Sequence, residues 1–279
     1  MFSKRCDGVR IKGLSPIQKI MPYIMVERND AEVYYEDRID IAQMEEYIKR
    51  KKSEGVNIGH MDVVAAAIAR VIAEREELNR FVMNKQIYAR KNITVSLALK
   101  KTLEDSAEET TVKFNIKPTD TIFDVSRQIQ EQVSINKEVT TENITDKLAK
   151  FITSMPRGII SFMVGVIKFM DKHNIIPKSI VEASPFHTSV FITNVGSIGI
   201  NSIYHHIYNF GTTSMFLAMG MKRSHINSRN GEAQKYISFK FVCDERICDG
   251  LYYARSFLKF RRYLLNPSLL EKPVSETEN

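Results

Sequence analysis

The stretch CDERICDG, residues 243–250, decides how the rest of the chain is interpreted. It follows the alternating apolar run KYISFKFV (235–242), which is typical of a strand, and precedes a helical pattern over 250–265. An Asp-Gly pair at a strand-to-helix junction is ordinary. Two acids, an arginine and a further aspartate within the six residues 244–249 are not. The stretch is either a turn or a catalytic motif whose central residue has been changed.

The hydrophobic patterns along the chain predict one α/β domain. Helical spacing of apolar residues over 62–77 predicts a helix packed on a sheet. Because strands late in the sequence are interleaved with early helices, we expect a single α/β domain with a mixed β-sheet, and no βαβ nucleotide-binding array. Neither a GxGxxG pattern nor a P-loop occurs. The predicted strands lie at 31–41, 92–101, 109–117, 187–199, 214–220 and 235–242.

Local signals predict where two helices and one hairpin begin. Ser15 is followed directly by a proline, a pattern typical of a capped helix start. Asp40 and Gln43 have the spacing of a capping box for the next helix. Asn84 and Lys85 separate two short strand patterns and predict a hairpin turn.

Composition narrows the possible partners and compartment. The 279-residue chain has 40 Lys and Arg against 33 Asp and Glu, a net charge of +7, which favours acidic or phosphorylated partners. The basic residues are scattered, so no nucleic-acid binding is predicted. Cys6, Cys243 and Cys248 form neither an even disulfide framework nor a CxxC pair, which indicates a reducing compartment. With no apolar core of signal-peptide length near its start, the chain is expected to be cytoplasmic.

The most apolar segment is GIISFMVGVIKFM, residues 158–170. A membrane-spanning helix needs about 20 apolar residues, so this segment is too short to cross a bilayer. We expect a buried or half-buried amphipathic helix within a helical insertion at about 141–182. The alternatives are a lid over a long acyl chain and, less favoured, a helix on a membrane surface, which would be a peripheral contact beside Arg157, Lys168 and Lys172.

Two motifs together resemble one enzyme family. DERICDG, followed by a helix and Asn-Pro, resembles the C-terminal signature of the catalytic domain of dihydrolipoyl acyltransferases, where the pattern is Asp-His-Arg-x-x-Asp-Gly. FITNVGSIG (191–199) resembles the Ser-Asn-x-Gly strand end of that family, at the expected distance upstream. GVRIKGLSPIQKIM (8–21) falls where the family's domain begins. The similarity covers nearly the whole chain, weakly between about 100 and 185; chloramphenicol acetyltransferases share the fold and the short CDG.

The resemblance implies a two-layer α/β sandwich with a mixed β-sheet, similar to chloramphenicol acetyltransferase, that assembles as a homotrimer. Active sites would lie between subunits and take a small-molecule acyl donor and acceptor, with coenzyme A or acyl-CoA as substrate and no bound cofactor or metal. In the family, the motif's histidine removes the proton from the attacking thiol or hydroxyl. A serine or threonine hydroxyl binds the tetrahedral oxyanion, and the final aspartate is mainly structural.

When the family's motif is matched to this chain residue by residue, the catalytic histidine is absent. Glu245 stands where the family has histidine, Thr193 falls on the oxyanion-binding hydroxyl, and Asp249 falls on the structural aspartate. The family's arginine near the start of the domain, which pairs with that aspartate, is also missing; Arg10 is a candidate substitute. An exposed carboxyl group, with a pKa near about 4.3, is a poorer base toward a thiol than imidazole, unless burial raises its pKa toward about 6–7.

Each candidate residue also has a structural interpretation. Glu245 is either an active-site carboxylate or a partner of Arg246 or of a subunit neighbour. Thr193 is either the oxyanion donor or an ordinary strand hydroxyl. His187 would share a strand face with Thr193 but at about 20 Å, whereas His205 and His206 are minor candidates for a substitute base. Cys243 and Cys248 are expected to be buried thiols.

The sequence therefore predicts an acyltransferase-like catalytic domain over 1–270 and a disordered tail over 271–279. The leading hypothesis is acyl transfer between coenzyme A and an unidentified acceptor, with Glu245 as base. The alternative is a catalytically inactive protein that keeps the fold for binding or assembly.

Overall fold

A computed structural model of the chain describes residues 5–100, 109–137, 153–226 and 231–273. Six strands form its central sheet, in the spatial order β2-β9-β8-β7-β5-β6. The strand β7 runs parallel to β5 and β8, and the other neighbours are antiparallel, so the predicted mixed sheet is confirmed. The strands are Glu32–Asp40 (β2), Ile93–Lys100 (β5), Glu109–Ile116 (β6), Val190–Asn194 (β7), Met215–Ile226 (β8) and Ala233–Asp244 (β9).

A second sheet of three short strands stands beside the first. Gly8–Arg10 (β1), Arg80–Met83 (β3) and Gln86–Arg90 (β4) are antiparallel in the order β1-β4-β3. Asn84 and Lys85 connect β3 to β4 with φ angles of 47° and 60°. Both angles lie in the left-handed region that a two-residue type I′ hairpin requires, so the predicted turn is confirmed.

The described residues form seven α-helices: Pro16–Ile24 (α1), Ala42–Ser53 (α2), His60–Glu74 (α3), Ile122–Lys137 (α4), Arg157–Lys172 (α5), Lys178–Ala183 (α6) and Gly250–Leu265 (α7). Of these, α2, α3, α4 and α7 contact strands of the central sheet and cover one of its faces. Residues 62–72 of α3 are all buried, because α3 lies between the sheet and the helices α4 and α7. One row of the sheet meets this layer through apolar side chains on five strands: Tyr35, Phe241, Leu217, Ile192 and Leu97. The predicted two-layer α/β sandwich is confirmed.

The two predicted helix starts have different outcomes. The Ser15 hydroxyl accepts from the amide of Gln18 at 3.3 Å, and the Gln18 side chain accepts from the Ser15 amide at 3.1 Å, a complete capping box. The capping box predicted for Asp40 and Gln43 is wrong. Asp40 still belongs to β2, and its carboxylate accepts from the amide of Ala42 at 2.8 Å. Pairing with β9 continues to the end of β2, so the N-cap is Ile41 and the helix starts one residue later than predicted.

The apolar segment 158–170 is helical, as predicted, and it is half-buried on one face, at Ile160, Met163, Ile167 and Met170. Within α5, Asp171 is buried, while the apolar residues are exposed or half-buried. Phe162 is 72 % exposed and Phe169 58 % exposed. Burial depends on which surface a helix meets, and composition alone does not specify that surface. Of the predicted insertion, residues 141–152 lie outside the described residues. In the described part of the chain, no helix has both the length and the apolar character needed to cross a bilayer.

The contacts of the domain extend beyond residue 270. Glu271 lies 3.1 Å from the ammonium of Lys51, and the carbonyl of Lys272 accepts a hydrogen bond from Arg70. Residues 274–279 of the predicted tail lie outside the described residues.

We predict that Gly196→Ala destabilises the protein by about 1–3 kcal/mol, the usual range for a forced steric clash. A Cβ atom at this position would lie 2.5 Å from the carbonyl oxygen of Gly220 in β8. Urea unfolding measures the change. Gly165→Ala in α5 is the matched control: its Cβ meets nothing within 4 Å, and helix propensity favours the alanine by about 0.5–1 kcal/mol. Equal stabilities of Gly196→Ala and wild type would contradict the close approach.

Candidate active site

A buried ion pair forms the end of β9, where the motif DERICDG begins. Asp244 is completely buried, and Arg246 is 4 % exposed. Nε and Nη2 of Arg246 each lie 2.8 Å from one carboxylate oxygen of Asp244, a bidentate pair between residues two apart. Nη1 of Arg246 donates to the carbonyls of Met25 and Val26 at 3.0 and 3.1 Å. The arginine thereby ties the motif to the segment that follows α1.

A second buried arginine completes this charge cluster. Nε of Arg28 lies 3.6 Å from the carboxylate of Asp244. Its two terminal nitrogens donate to three backbone carbonyls, those of Tyr208, Val82 and Gly211, at 2.7 to 3.1 Å. Burial lowers the pKa of Arg28 to about 10, although the charge of Asp244 acts in the opposite direction. Two guanidinium groups around one carboxylate therefore hold together four parts of the chain that are distant in sequence.

Glu245 is the one exposed residue in the otherwise buried run 241–248. Its amide donates to the carbonyl of Ala31 at 2.8 Å, which fixes the backbone next to β2. Because Arg246 is turned toward Asp244, the alternative pairing of Glu245 with Arg246 is not what the structure shows. The Glu245 carboxylate lies at the protein surface, at the position where the resemblance places a catalytic base.

Asp249 begins the final helix. Its carboxylate accepts from the amide of Tyr252 at 2.8 Å, which makes it the N-cap of α7. A negative charge at this position also interacts favourably with the helix dipole. Arg10, the candidate partner of this aspartate, is exposed on β1, and within the described residues Asp249 forms no ion pair.

The two cysteines of this region are buried, as the sequence predicts. Burial raises the pKa of Cys248 to about 12 and that of Cys243 well above its usual value. Both therefore remain protonated thiols near neutral pH, which excludes them as thiolate nucleophiles in this state.

Thr193 lies in β7, on the sheet face opposite α3. It is directly opposite Ala98 of β5 and Ala218 of β8, and Ala218 is in turn opposite Lys240 of β9. Its neighbours on both sides are small, and Thr193 itself is buried, with 9% of its surface exposed. Beyond the strand end, Asn194 accepts from the amide of Ser197 at 3.2 Å and starts a single 3₁₀ turn.

Within one chain, Thr193 and Glu245 are not brought together. Lys240 is the residue of β9 that lies in the same row of the sheet as Thr193. Glu245 follows five residues later, directly after β9. With a rise of about 3.3 Å per residue and about 4.8 Å between strands, their Cα atoms are roughly 15–20 Å apart. The two side chains of one chain cannot act on the same reacting carbon.

The histidine predictions are partly corrected. His187 does not share a strand face with Thr193, because β7 starts at Val190 and His187 lies in the preceding turn. His205 stacks on Phe216 at a ring distance of 4.6 Å, and His206 lies 4.9 Å from the ring of Tyr208. Since Phe216 is two residues from Ala218 on β8, His205 lies over the same sheet face as Thr193.

His187 belongs to a buried polar network that the sequence analysis missed. Its Nδ1 is 2.8 Å from the hydroxyl of Ser184, and its Nε2 is 3.2 Å from Asp171. The other carboxylate oxygen of Asp171 is 2.7 Å from Arg5, which is also paired with Asp7. No local pattern indicates this network, because Arg5 and Asp171 are 166 residues apart.

Comparisons with sequences and solved structures of known proteins identify the fold. No protein-family model matches the chain, and no curated protein sequence matches it. Among solved structures, a probable dihydrolipoamide acetyltransferase from Listeria monocytogenes is similar with a TM-score of 0.57 and 14% identity, over 91% of this chain and 94% of that one. The cubic core of a pyruvate dehydrogenase multienzyme complex has a TM-score of 0.58 and 10% identity, over 94% of both chains.

A chloramphenicol acetyltransferase is also similar, with a TM-score of 0.57 and 9% identity over 92% of this chain and 99% of that one. At these identities the comparisons show the fold: the chain has the chloramphenicol acetyltransferase-like two-layer sandwich. Within the described residues, no group of three or more His, Cys, Asp or Glu side chains is placed to hold a metal ion.

We predict that His187 makes stability depend on pH. Burial lowers the pKa of His187, although Asp171 acts in the opposite direction. As the pH falls through about 6.5, the unfolded chain therefore binds a proton before the folded one does, and the free energy of unfolding decreases. Urea unfolding between pH 7.5 and 5 should show this decrease. In His187→Gln, the free energy of unfolding should fall less steeply with pH, by up to about 1.4 kcal/mol per pH unit. The other five of the six histidines are common to both proteins, so equal slopes would contradict the prediction.

Proposed function

We propose that this protein is an acyltransferase that moves an acyl group between coenzyme A and a small-molecule acceptor. The observation that carries the proposal is the position of Glu245. Every neighbour from 241 to 248 is buried, and this one side chain faces solvent at the strand-to-helix junction. A residue held in this way on a rigid ion-paired motif is suited to act on a ligand or to meet another subunit.

The separation of Thr193 from Glu245 supports a site shared between subunits. We propose a homotrimer in which Thr193 of one subunit faces Glu245 of the next, so that three equivalent sites form. One of the structurally similar chains forms the cubic core of a multienzyme complex, which supports assembly of this fold into symmetric oligomers. Size-exclusion chromatography with light scattering tests the trimer; a stable monomer would count against it.

The proposed reaction uses the two side chains in distinct roles. The Glu245 carboxylate takes the proton from the acceptor thiol or hydroxyl as the acceptor attacks the thioester carbonyl of acyl-CoA. The Thr193 hydroxyl donates a hydrogen bond to the resulting oxyanion. When the tetrahedral intermediate collapses, the carbon–sulfur bond breaks and the coenzyme A thiolate takes the proton back from Glu245. Coenzyme A is a substrate in this scheme, and Asp249 holds the start of α7.

Closure of the subunit interface would strengthen this base. A carboxylate removed from water is harder to keep charged and therefore holds a proton more firmly. The apolar stripe of α1, formed by Ile17, Ile20 and Ile24, is exposed in the single chain and is a surface that a neighbouring subunit would cover.

We predict that Glu245→Gln lowers kcat/KM for acyl transfer roughly 10²–10⁴-fold, the usual contribution of a general base. The substitution keeps the shape of the side chain and removes its ability to accept a proton. The measurement is transfer and hydrolysis of acyl-CoA with a panel of thiol and hydroxyl acceptors.

Glu46→Gln, an exposed carboxylate on α2, is the matched control and should leave the rate unchanged. If purified wild-type protein transfers no acyl group to any acceptor in the panel, the enzymatic proposal fails. A rate that falls in His205→Gln and is unchanged in Glu245→Gln would assign the base to His205 instead.

The second candidate is a catalytically inactive acyltransferase-fold protein with a binding or assembly role. It is favoured by the glutamate at the base position together with the missing arginine partner of Asp249. Glu245→His distinguishes the two. Activity that appears only after this substitution supports the inactive alternative, whereas activity already present in wild type contradicts it.

A further inference from the structure

Helix α5 carries two apolar ridges, and they have different surroundings. The inner ridge is half-buried and consists of Ile160, Met163, Ile167 and Met170. The outer ridge is displaced from it by one residue, which is about 100° around the helix, and consists of Ile159, Phe162, Val166 and Phe169. The side chains of the outer ridge are 39 to 72 % exposed. The helix therefore packs on the protein through one ridge and presents a second apolar ridge to solvent.

The C-terminal end of α5 is fixed to the protein by buried charges. The carboxylate of Asp171 is buried and lies 2.7 Å from Arg5 and 3.2 Å from His187. The backbone carbonyl of Asp171 also accepts from Arg5, at 2.7 Å. Rotating the helix to bury its outer ridge would break these contacts, so the ridge is held facing outward.

A row of cations lies beside the outer ridge. Arg157, Lys168 and Lys172 are exposed and, at 3.6 residues per turn, lie within about 60° of one another around the helix. Two glycines occupy the positions between this row and the outer ridge. Asp171 is the one acidic residue of α5, and among the described residues none of the three cations is paired with a carboxylate. The exposed surface of the helix is therefore apolar on one side and positively charged on the other.

This combination complements the surface of an anionic lipid bilayer. Apolar side chains enter the boundary between headgroups and acyl chains, and the long basic side chains reach the negatively charged headgroups. The 16 residues of α5 span about 24 Å. That length lets the helix lie along the membrane surface, and it is too short to cross the bilayer.

Two other occupants fit the outer ridge less well. A second copy of the chain would bring two rows of cations together without an exposed acid on α5 to offset them, and like charges in an interface are unfavourable. A lid over an acyl chain would turn its largest apolar side chains toward the protein. Here Phe162 and Phe169 are the most exposed side chains of the outer ridge.

We propose that α5 docks the protein on the surface of an anionic membrane. The outer ridge lies at the boundary of the acyl chains, and Arg157, Lys168 and Lys172 lie among the headgroups, with the helix axis parallel to the membrane plane. This docking goes beyond acyl transfer and does not depend on it. The apolar stripe of α1 has no part in it, since that stripe is assigned above to a neighbouring subunit.

The first test measures binding of the full chain to lipid vesicles. Cosedimentation should show binding to vesicles made of equal parts phosphatidylcholine and phosphatidylserine, and this binding should weaken as salt rises. Vesicles of phosphatidylcholine alone should bind far less protein. If the protein does not bind the mixed vesicles, or binds both kinds equally, the proposal is overturned.

Substitution of the phenyl rings assigns the binding to the outer ridge. Phe162→Ala with Phe169→Ala should lower the partition coefficient on the mixed vesicles at least about tenfold, because two rings no longer enter the acyl boundary. The matched control is Leu251→Ala with Leu258→Ala on α7, whose side chains are 62 and 64 % exposed. An equal loss in the control, or no loss in the α5 variant, would overturn the assignment.

Substitution of the lysines tests the charge contribution separately. Lys168→Gln with Lys172→Gln should lower the partition coefficient at least about fivefold, as expected for removing cations from an anionic surface. The control is Lys49→Gln with Lys52→Gln, two exposed lysines of α2. It should change binding less than about twofold, because salt screens charges distant from the membrane. Circular dichroism establishes that all variants are folded. Equal binding by the two lysine variants would contradict a role of the cation row.

A fluorescence measurement tests which side of the helix enters the membrane. The chain contains no tryptophan, so a single introduced one is the only indole that emits. On mixed vesicles, the emission of Phe162→Trp should shift to shorter wavelength and be quenched by lipids with brominated acyl chains. Leu258→Trp should show neither effect. Unchanged emission of Phe162→Trp on vesicles that bind the protein would overturn the proposed orientation.

These outcomes are separable from those of the proposed function. Vesicle binding that depends on Phe162 and Phe169, without any acyl transfer, supports the docking and contradicts the enzyme. Acyl transfer by a protein that binds no vesicles supports the enzyme and overturns the docking. If light scattering shows self-association that depends on the two rings, and vesicles bind no protein, the outer ridge contacts a second copy and the membrane proposal is overturned.

Discussion

The carboxylate of Asp244, buried between two guanidinium groups, is the interaction on which the arrangement of the site depends. A buried carboxylate without a partner would be very costly, and removing one member of a buried ion pair typically costs about 3–5 kcal/mol. Here Arg246 binds the carboxylate through two nitrogens, and Arg28 lies 3.6 Å away. The same arginines donate to carbonyls after α1, in β3 and in the segment 208–211. One charge cluster thereby fixes where β9 ends and how the chain turns into α7.

Because the charge cluster fixes the end of β9, it also determines which residue of the motif faces solvent. With Asp244 and Arg246 both directed into the cluster, the intervening residue is turned to the surface, and its amide is held by Ala31. The chain can change the residue at this position without disturbing the ion pair beneath it. The strand, the ion pair and the helix cap therefore do not depend on which residue occupies position 245.

Much of the fold can be read from local sequence patterns. The hairpin at Asn84 and Lys85, the cap at Ser15 and the alternating strands depend on neighbouring residues, so a sequence pattern is enough to predict them. The strand-to-helix junction of the motif was also predictable, because β9 ends at Asp244 and α7 starts at Gly250. What sequence patterns did not indicate is non-local: the bond between Arg5 and Asp171, the role of Arg28, and the exposure of α5 all depend on which distant segments meet.

The fold persists at 9 to 14% identity to the solved acyltransferase structures, because it depends on the pattern of buried positions and not on the identity of each residue. One row across five strands carries the core against α3, and the next row carries Thr193 on the opposite face among small residues. Because side chains alternate along a strand, the residues that form the core against α3 and the residue proposed for the chemistry, Thr193, lie on opposite faces of the sheet. The helical face carries the main core, and on the other face the chain segment that contains His205 and Ile207 packs on Phe191, Phe216 and Val242.

The most direct test of a shared site is subunit complementation. Thr193→Val and Glu245→Gln should each reduce acyl transfer strongly as pure trimers. Co-expressed in equal amounts, they should restore about a quarter of the wild-type rate, because a random mixture places an intact Glu245 opposite an intact Thr193 at about one site in four. Restored activity in mixed trimers would support a site between subunits. Mixed trimers that are no more active than the pure variants would contradict it.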